Sequence, residues 1–261
     1  MNKKNSRDMI GYGKKMPKIK WPNNAKLALQ IVLNYEEGSE NCVLNGDKFS
    51  ETFLSEIINA QPIKGRHINM ESIYEYGSRR GFWRLHELFQ EKKIPITIFG
   101  VGMALEKNQD VCNALKESNY EIASHGWRWI DYQNISKQVE KKHMQLAIQS
   151  IKKIFGKRPL GWYTGRCSPN TRDLVVEEGG FLYDSDSYSD DIPYWEVRGK
   201  KKQLIIPYTL DNNDMRFATN QGFNSGDQFF TYLKDAFDTL YEEGKKNPKM
   251  MSVGLHCRLI G

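Results

Sequence analysis

The stretch KLALQIVLNYEEG, residues 26–38, predicts a buried strand that ends at a functional face. It begins as a near-continuous apolar run, broken by Gln30, and ends on two adjacent carboxylates, Glu36 and Glu37. Apolar runs without alternation are typical of strands in a parallel sheet, because such a sheet is covered on both faces. The stretch therefore predicts a central strand with candidate functional groups at its carboxyl end.

Strand and helix patterns alternate along the rest of the chain. Further strands are predicted within residues 96–102, 120–129, 160–171, 181–188, 204–210 and 249–261. Helices are predicted within residues 78–93, 110–119, 136–156, 170–180 and 226–246. Gly156 is a predicted C-cap, and Asn170 or Thr171 a predicted N-cap. This alternation predicts an α/β fold with a parallel sheet or barrel.

Composition and charge favour an ordinary globular domain. The chain has 261 residues, 39% hydrophobic and 27% charged, and no apolar run long enough to span a membrane. Residues 1–15 are charged and lack the apolar core of a secretory signal. The net charge is +6, but the lysines are spread along helices and linkers. We therefore expect a solvated surface, with no nucleic-acid or membrane partner.

The cysteines predict free thiols in a reducing compartment. They are Cys42, Cys112, Cys167 and Cys257. None forms a Cys-x-x-Cys pair, so a zinc-finger interpretation has no support. Scattered cysteines without an export signal favour the cytoplasm.

Polar residues follow several predicted strands at the point where each strand ends. They are Glu36, Glu37, His125, Arg166, Asp184, Asp186 and His256. In parallel α/β folds, chemistry gathers at the carboxyl ends of the strands. This convergence favours an enzyme over a structural protein.

The residue types suggest roles at such a site. Glu36 or Glu37 is a candidate general base towards water, with the other orienting a group or binding a metal. Trp127 and Trp129 flank His125 closely enough to form a pocket wall around a polar floor. The structural alternatives are two surface glutamates and ordinary core packing.

The later strand ends add a cation, an acid and an imidazole. Arg166 lies in a loop containing glycine and proline, where its planar fork suits a carbonyl or carboxylate. Asp184 is expected to support this arginine, because the run DSDSYSDD lacks the glycine and terminal glutamate of a calcium loop. His256 is a candidate general acid near neutral pH.

With these residues in place, the chain resembles the polysaccharide deacetylase superfamily along essentially its whole length. Where the family has an Asp-Asp pair after a strand, this sequence has Glu36 and Glu37. Where the family has His-x3-His, it has His125 and Trp129. The resemblance implies a single catalytic domain, 1–261, with an N-terminal extension, 1–25. The implied fold is a distorted, incomplete (β/α) barrel of seven strands, similar to a TIM barrel.

The remaining motifs follow in the family's order. Arg166 and Pro169 match the arginine motif, Asp184 the acid after a strand, and His256 the histidine at the end of a strand. Relatives of this type continue beyond the last motif, so the C-terminal end of the family domain is expected to be missing after Gly261.

Several segments resemble one branch, the cofactor-independent allantoinases, which hydrolyse the hydantoin ring of allantoin to allantoate. They are NYEEG, EYGSRRGFWRL, EIASHGWRW, GWYTGRCSPNT and GLHCRLIG. In metal-using members the ligands are the second acid and both histidines, and the indole of Trp129 offers no lone pair. The resemblance therefore implies an enzyme of purine catabolism that uses no metal or other cofactor.

The resemblance also implies roles for the matched residues. Glu36, His256 and Arg166 are expected to be catalytic, as base, acid and orienting cation. The expected substrate-binding residues are Glu37, His125, Trp127, Trp129 and Asp184. A homo-oligomer, usually a tetramer, is implied, with a partner subunit able to cover an open barrel seam.

Two alternatives remain open at this point. One is a metal-dependent deacetylase of peptidoglycan or a similar polysaccharide, with His67 as the spare donor that would complete the metal site. The other is a catalytically impaired relative that keeps the pocket and binds allantoin without turnover.

Overall fold

The strands form one sheet in a computed structural model, which describes residues 7–57 and 59–261. In chain order they are β1 (Leu27–Tyr35), β2 (Thr97–Gly100), β3 (Glu121–Ser124), β4 (Gly161–Trp162), β5 (Tyr183–Asp184), β6 (Tyr194–Arg198), β7 (Lys201–Ile205) and β8 (Lys249–His256). Their order across the sheet is β6-β7-β5-β4-β3-β2-β1-β8, and β6 pairs antiparallel with β7 while the other pairs are parallel. The predicted α/β fold with a parallel sheet is confirmed, with eight strands in place of seven. Within the described residues β6 and β8 do not pair with each other, so the barrel is incomplete, as expected.

Helices connect most of the strands. They are α1 (Ile68–Tyr76), α2 (Phe82–Lys92), α3 (Gly102–Lys107), α4 (Gln109–Glu117), α5 (Lys137–Phe155), α6 (Thr171–Glu178), α7 (Gly226–Gly244) and α8 (Cys257–Ile260). Gly156 ends α5 with a φ of 74°, as predicted for a C-cap. Asn170 is the N-cap of α6 but makes no side-chain capping bond. In residues 7–57 and 59–261, no helix combines the length and apolarity that a bilayer crossing requires.

The central strand β1 sets the register of the sheet. It pairs with β8 on one side, where Asn34 lies opposite His256, and with β2 on the other, where Tyr35 lies opposite Gly100. Gly100 in turn lies opposite Ser124 of β3. These strand ends are therefore level, and the residues that follow them share one edge of the sheet. The apolar core beneath includes Leu33, Phe82, Ile98, Leu105, Leu115 and Leu255.

A close approach between backbones fixes the segment behind this edge. A π-helical turn, Gly77–Gly81, joins α1 to α2. A Cβ added to Gly81 would lie 1.9 Å from the carbonyl oxygen of Cys257 in α8. Glycine is therefore required here for the α1–α2 segment to pack against the end of β8.

This contact makes Gly81→Ala a test of the packing. We expect it to lower the free energy of unfolding by about 1–3 kcal/mol, because the added methyl group must displace backbone. Thermal and denaturant unfolding followed by circular dichroism would measure the change. Gly226→Ala is the matched control, since a Cβ at Gly226 meets nothing within 4 Å. Equal unfolding midpoints for the two variants would contradict the role given to Gly81.

Candidate active site

A cavity of about 700 Å³ opens at the carboxyl edge of the sheet. Its lining includes these predicted site residues: Glu36, His125, Trp129, Arg166 and His256. The volume lies in the range of small-molecule sites. The structure thus brings together residues that are more than 200 positions apart in the chain.

The carboxylate of Glu36 lies at the centre of the polar contacts. It follows the end of β1 and is 1% exposed. Its Oε1 lies 3.1 Å from His125 Nε2 and 3.3 Å from His256 Nε2. Its Oε2 accepts a hydrogen bond from Arg258 Nη2 at 2.6 Å. Burial alone would raise the pKa of Glu36, but the charges of Arg258 and His256 hold that pKa well below its ordinary value.

The imidazole of His256 is held between two acids. Its Nδ1 lies 2.6 Å from Asp214 Oδ1, and its backbone N–H donates to Asp214 Oδ2 at 2.7 Å. Burial would lower the pKa of His256, but the charges of Asp214 and Glu36 raise it to about 9. The ring is therefore protonated at neutral pH and can donate from both nitrogens.

Asp214 is a site residue that the sequence did not predict. It begins a short 3-10 helix, Asp214–Ala218, and is fully buried. The surrounding sequence, DNNDMR, resembles an ordinary polar turn, and no spacing links it to His256. The sequence predicted no acid partner for His256, and the only pairing predicted for an acid was that of Asp184 with Arg166.

His125 completes the arrangement from the end of β3. Its backbone N–H donates to the carbonyl of Gly100, and its ring packs against Tyr163 with centroids 5.0 Å apart. When Nε2 donates to Glu36, Nδ1 is left as an acceptor. Within the described residues this buried Nδ1 has no hydrogen-bond partner.

Glu37 points away from the large cavity. Its Oε2 accepts from the backbone N–H of Glu36 at 2.9 Å, and its Oε1 lies 3.5 Å from Arg258 Nη1. Burial raises the pKa of Glu37 although Arg258 opposes this shift. Glu37 lines a separate cavity of about 240 Å³, so its placement does not support the predicted contact with substrate.

Two arginines lie over Trp129. The guanidinium carbon of Arg166 is 3.8 Å from the ring centroid, and that of Arg258 is 4.9 Å away. Arg166 also lies 3.5 Å from Glu51, and Arg258 is 4.7 Å from the ring centroid of Tyr74. Arg258, which the sequence did not predict as a site residue, lies in α8 with its side chain fully buried. Because both guanidinium groups pack against the indole ring, their positions do not favour the expected stacking of Trp129 on a ligand.

Asp184 does not support Arg166. Its Oδ2 lies 2.8 Å from Nε of Arg172, and the residue is fully buried away from the large cavity. Burial and the neighbouring Asp186 raise the pKa of Asp184 to about 7. The loop that carries Arg166 is instead held by Asp186, which accepts hydrogen bonds from the backbone N–H groups of Thr164 and Gly165. The expected pairing of Asp184 with Arg166 is wrong.

Trp127 also lies outside the large cavity. Its ring packs against Gly102 at the start of α3, where a Cβ would approach Trp127 Cε3 to 2.8 Å. Its position therefore fits packing between β3 and α3 better than ring stacking on a substrate.

The residues present do not fit the metal of metal-using relatives. Among residues 7–57 and 59–261, no group of three or more histidine, cysteine, aspartate or glutamate side chains is arranged to hold a metal ion. In the family motif that the sequence resembles, Trp129 stands where a second histidine would donate, and Arg258 places a positive charge beside Glu37, which stands where the motif has its donor acid. His67, the spare donor, precedes α1 and does not line the large cavity.

Known proteins resemble this chain closely. A family model for polysaccharide deacetylase matches residues 69–177. A Schizosaccharomyces pombe protein assigned to the polysaccharide deacetylases is 44% identical over 278 residues, which cover 98% of this chain and 86% of that protein.

Two crystal structures superpose on most of the chain. One is a probable polysaccharide deacetylase from Pseudomonas aeruginosa, with 60% identity, a TM-score of 0.94, and coverage of 97% of this chain and 86% of that one. The other is PuuE allantoinase, with 59% identity, a TM-score of 0.94, and coverage of 97% and 85%. Identity at this level over nearly the whole chain establishes common descent and fold. The chain belongs to the polysaccharide deacetylase family of hydrolases.

Proposed function

We propose that this protein hydrolyses a ring amide of allantoin to give allantoate, without a metal ion. The observation that carries the proposal is the contact of 3.3 Å between Glu36 Oε1 and His256 Nε2 in the wall of a small-molecule cavity. The lowered pKa of Glu36 and the raised pKa of His256 favour an ionised carboxylate beside a protonated imidazole. A base and an acid side by side are what amide hydrolysis needs when no Lewis acid is present. Similarity to PuuE allantoinase supports allantoin as the substrate.

The protons balance through this pair. Glu36 takes a proton from water as the oxygen attacks a ring carbonyl, and His256 donates a proton to the ring nitrogen as the carbon–nitrogen bond breaks. Glu36 is then protonated and His256 neutral. Because the two side chains lie 3.3 Å apart, the proton can return directly from Glu36 to His256. The pair is thereby reset for another turnover.

The contacts of Glu36 limit its strength as a base. Three donors share its carboxylate, which keeps it ionised but lowers its proton affinity. The proposal therefore requires the substrate or its attacking water to displace one of the imidazole contacts. His125 is the candidate for this displacement, since its freed Nε2–H can donate to the developing oxyanion.

Arg166 is proposed to orient the substrate at the mouth of the cavity. Its side chain is 28% exposed and lies over Trp129, with Glu51 as a distant partner. Its N–H groups suit the ureido or ring carbonyls of allantoin. A cytoplasmic location and assembly into a homo-oligomer, with tetramer as the expected form, belong to the same proposal.

A metal-dependent deacetylase is the second candidate. The names of the P. aeruginosa and S. pombe relatives favour it. It would need a third metal donor beside Glu37 and His125, and Trp129 cannot serve.

Allantoate formation by the purified protein separates these candidates. We expect turnover that is unchanged after EDTA treatment, with zinc far below one ion per chain by elemental analysis. Turnover that disappears with EDTA and returns with zinc would favour the deacetylase. Binding of allantoin without any turnover would favour a catalytically impaired relative.

Glu36→Gln tests the proposed base. The variant keeps the size of the side chain but cannot accept the proton, so we expect kcat to fall by about 10²–10⁴-fold. The matched control is Glu71→Gln, because Glu71 pairs with Arg66 outside the large cavity. If Glu36→Gln keeps the control's activity, Glu36 is not the base.

Asp214→Asn tests the proposed acid through the pH profile. The pKa of His256 is raised to about 9, so activity that needs the protonated ring is present at neutral pH and is lost as the pH rises through that value. Removing the charge of Asp214 lowers this pKa. We therefore expect the alkaline limb of kcat/KM to move down by roughly one pH unit or more. An alkaline limb that stays in place would show that His256 does not limit activity there.

A further inference from the structure

A buried guanidinium lies between the two carboxylates that follow β1. The side chain of Arg258 has no exposure to solvent. Its Nη2 lies 2.6 Å from Glu36 Oε2, and its Nη1 lies 3.5 Å from Glu37 Oε1. A charge in this position is shared between both acids, and it offsets the cost of burying them.

Aromatic rings hold this guanidinium in place. Its carbon lies 4.7 Å from the ring centroid of Tyr74 and 4.9 Å from that of Trp129. Trp129 occupies the position of the second histidine of the metal-using relatives. The same residue that removes a metal donor therefore supplies a π face that attracts a cation.

The hydrogen bonding of Arg258 differs from that of an ordinary structural ion pair. Buried arginines usually pair bidentately with one carboxylate and have their other N–H groups satisfied. Within the described residues, Nε and Nη1 of Arg258 have no hydrogen-bond partner, and neither does Oε1 of Glu37. The position of Arg258 therefore brings its charge close to both acids but leaves several of its hydrogen-bonding groups unsatisfied.

We propose that Arg258 is a built-in cation that supplies the positive charge a metal ion supplies in metal-using relatives, with Trp129 holding it in place. It acts as a positioning residue. By binding Oε2 of Glu36, it leaves Oε1 directed at His125 and His256. The catalytic part of this inference rests on the proposed allantoin hydrolysis, whereas the cation site itself does not.

Chemical rescue tests the proposal. Arg258→Ala removes the charge and leaves a space of guanidinium size, so we expect turnover to fall by about 10²-fold or more. Guanidinium chloride at millimolar, non-denaturing concentration is expected to restore part of the lost turnover. It should also raise the thermal midpoint of the variant relative to the same concentration of sodium chloride, because it fills the space between the carboxylates.

Arg158→Ala is the matched control. Arg158 also pairs with a carboxylate, Glu178 at 2.8 Å, and lies over an aromatic ring, that of Phe181 at 5.3 Å. It does not line the large cavity. Guanidinium should leave both the turnover and the thermal midpoint of this variant unchanged relative to sodium chloride.

Each outcome decides the proposal. Turnover of Arg258→Ala within a few-fold of the wild type would overturn it. So would guanidinium that raises the midpoint but leaves turnover lost, because Arg258 would then have only a structural role. If the wild type itself does not convert allantoin, the proposed function fails. The cation site is then judged by the thermal midpoint of Arg258→Ala: a rise with guanidinium relative to sodium chloride supports the site, and no rise overturns it.

A second pair of variants covers the case in which Arg258→Ala does not fold. Arg258→Lys keeps the charge, and Arg258→Gln has similar length without it. We expect the lysine variant to keep at least about tenfold more turnover than the glutamine variant, since only it retains a cation. Equal turnover in the two would overturn the proposal. If the wild type is inactive, a higher thermal midpoint for the lysine variant supports the cation site, and equal midpoints overturn it.

Discussion

The ionised carboxylate of Glu36 is the group on which the rest of the site depends. A buried charge of this kind is costly unless cations and hydrogen-bond donors surround it. Here the three donors come from the ends of two strands: His125 after β3, and His256 and Arg258 at and just beyond the end of β8. The parallel pairing of β1 with its neighbours brings those ends level. The register of the sheet therefore determines which charged groups surround Glu36.

Acids and cations alternate along this network. Asp214 contacts His256, His256 contacts Glu36, Glu36 contacts Arg258, and Arg258 reaches Glu37. Each charge has an opposite neighbour on at least one side, which explains how so many ionisable groups can be almost completely buried. It also explains why burial does not neutralise Glu36 and His256, the two groups on which the proposed proton transfer depends.

Sequence patterns predicted the strand ends well and the long-range partners poorly. The apolar run before Glu36 and the run before His256 identified β1 and β8, and strand geometry then brought both residues to one edge. Asp214 and Arg258 were missed because their roles depend on tertiary contacts. Asp184 was misplaced for the same reason, since an acid after a strand can turn towards a neighbouring helix and pair with Arg172. The helices α1, α3 and α8 were also missed. The first lies in a long polar connection, α3 is a single short segment beside α4, and α8 follows β8 directly within residues predicted as strand.

The contact between Arg258 and Trp129 has a consequence for the history of the site. Restoring histidine at position 129 would leave the guanidinium between the carboxylates and would repel an incoming metal ion. Replacing Arg258 first would leave two buried acids without their shared cation. A single step back towards metal binding therefore leaves either a cation in the way of the metal ion or two buried acids without their shared cation. A return to metal binding would therefore need both positions to change together, which makes such a transition difficult to reverse in evolution.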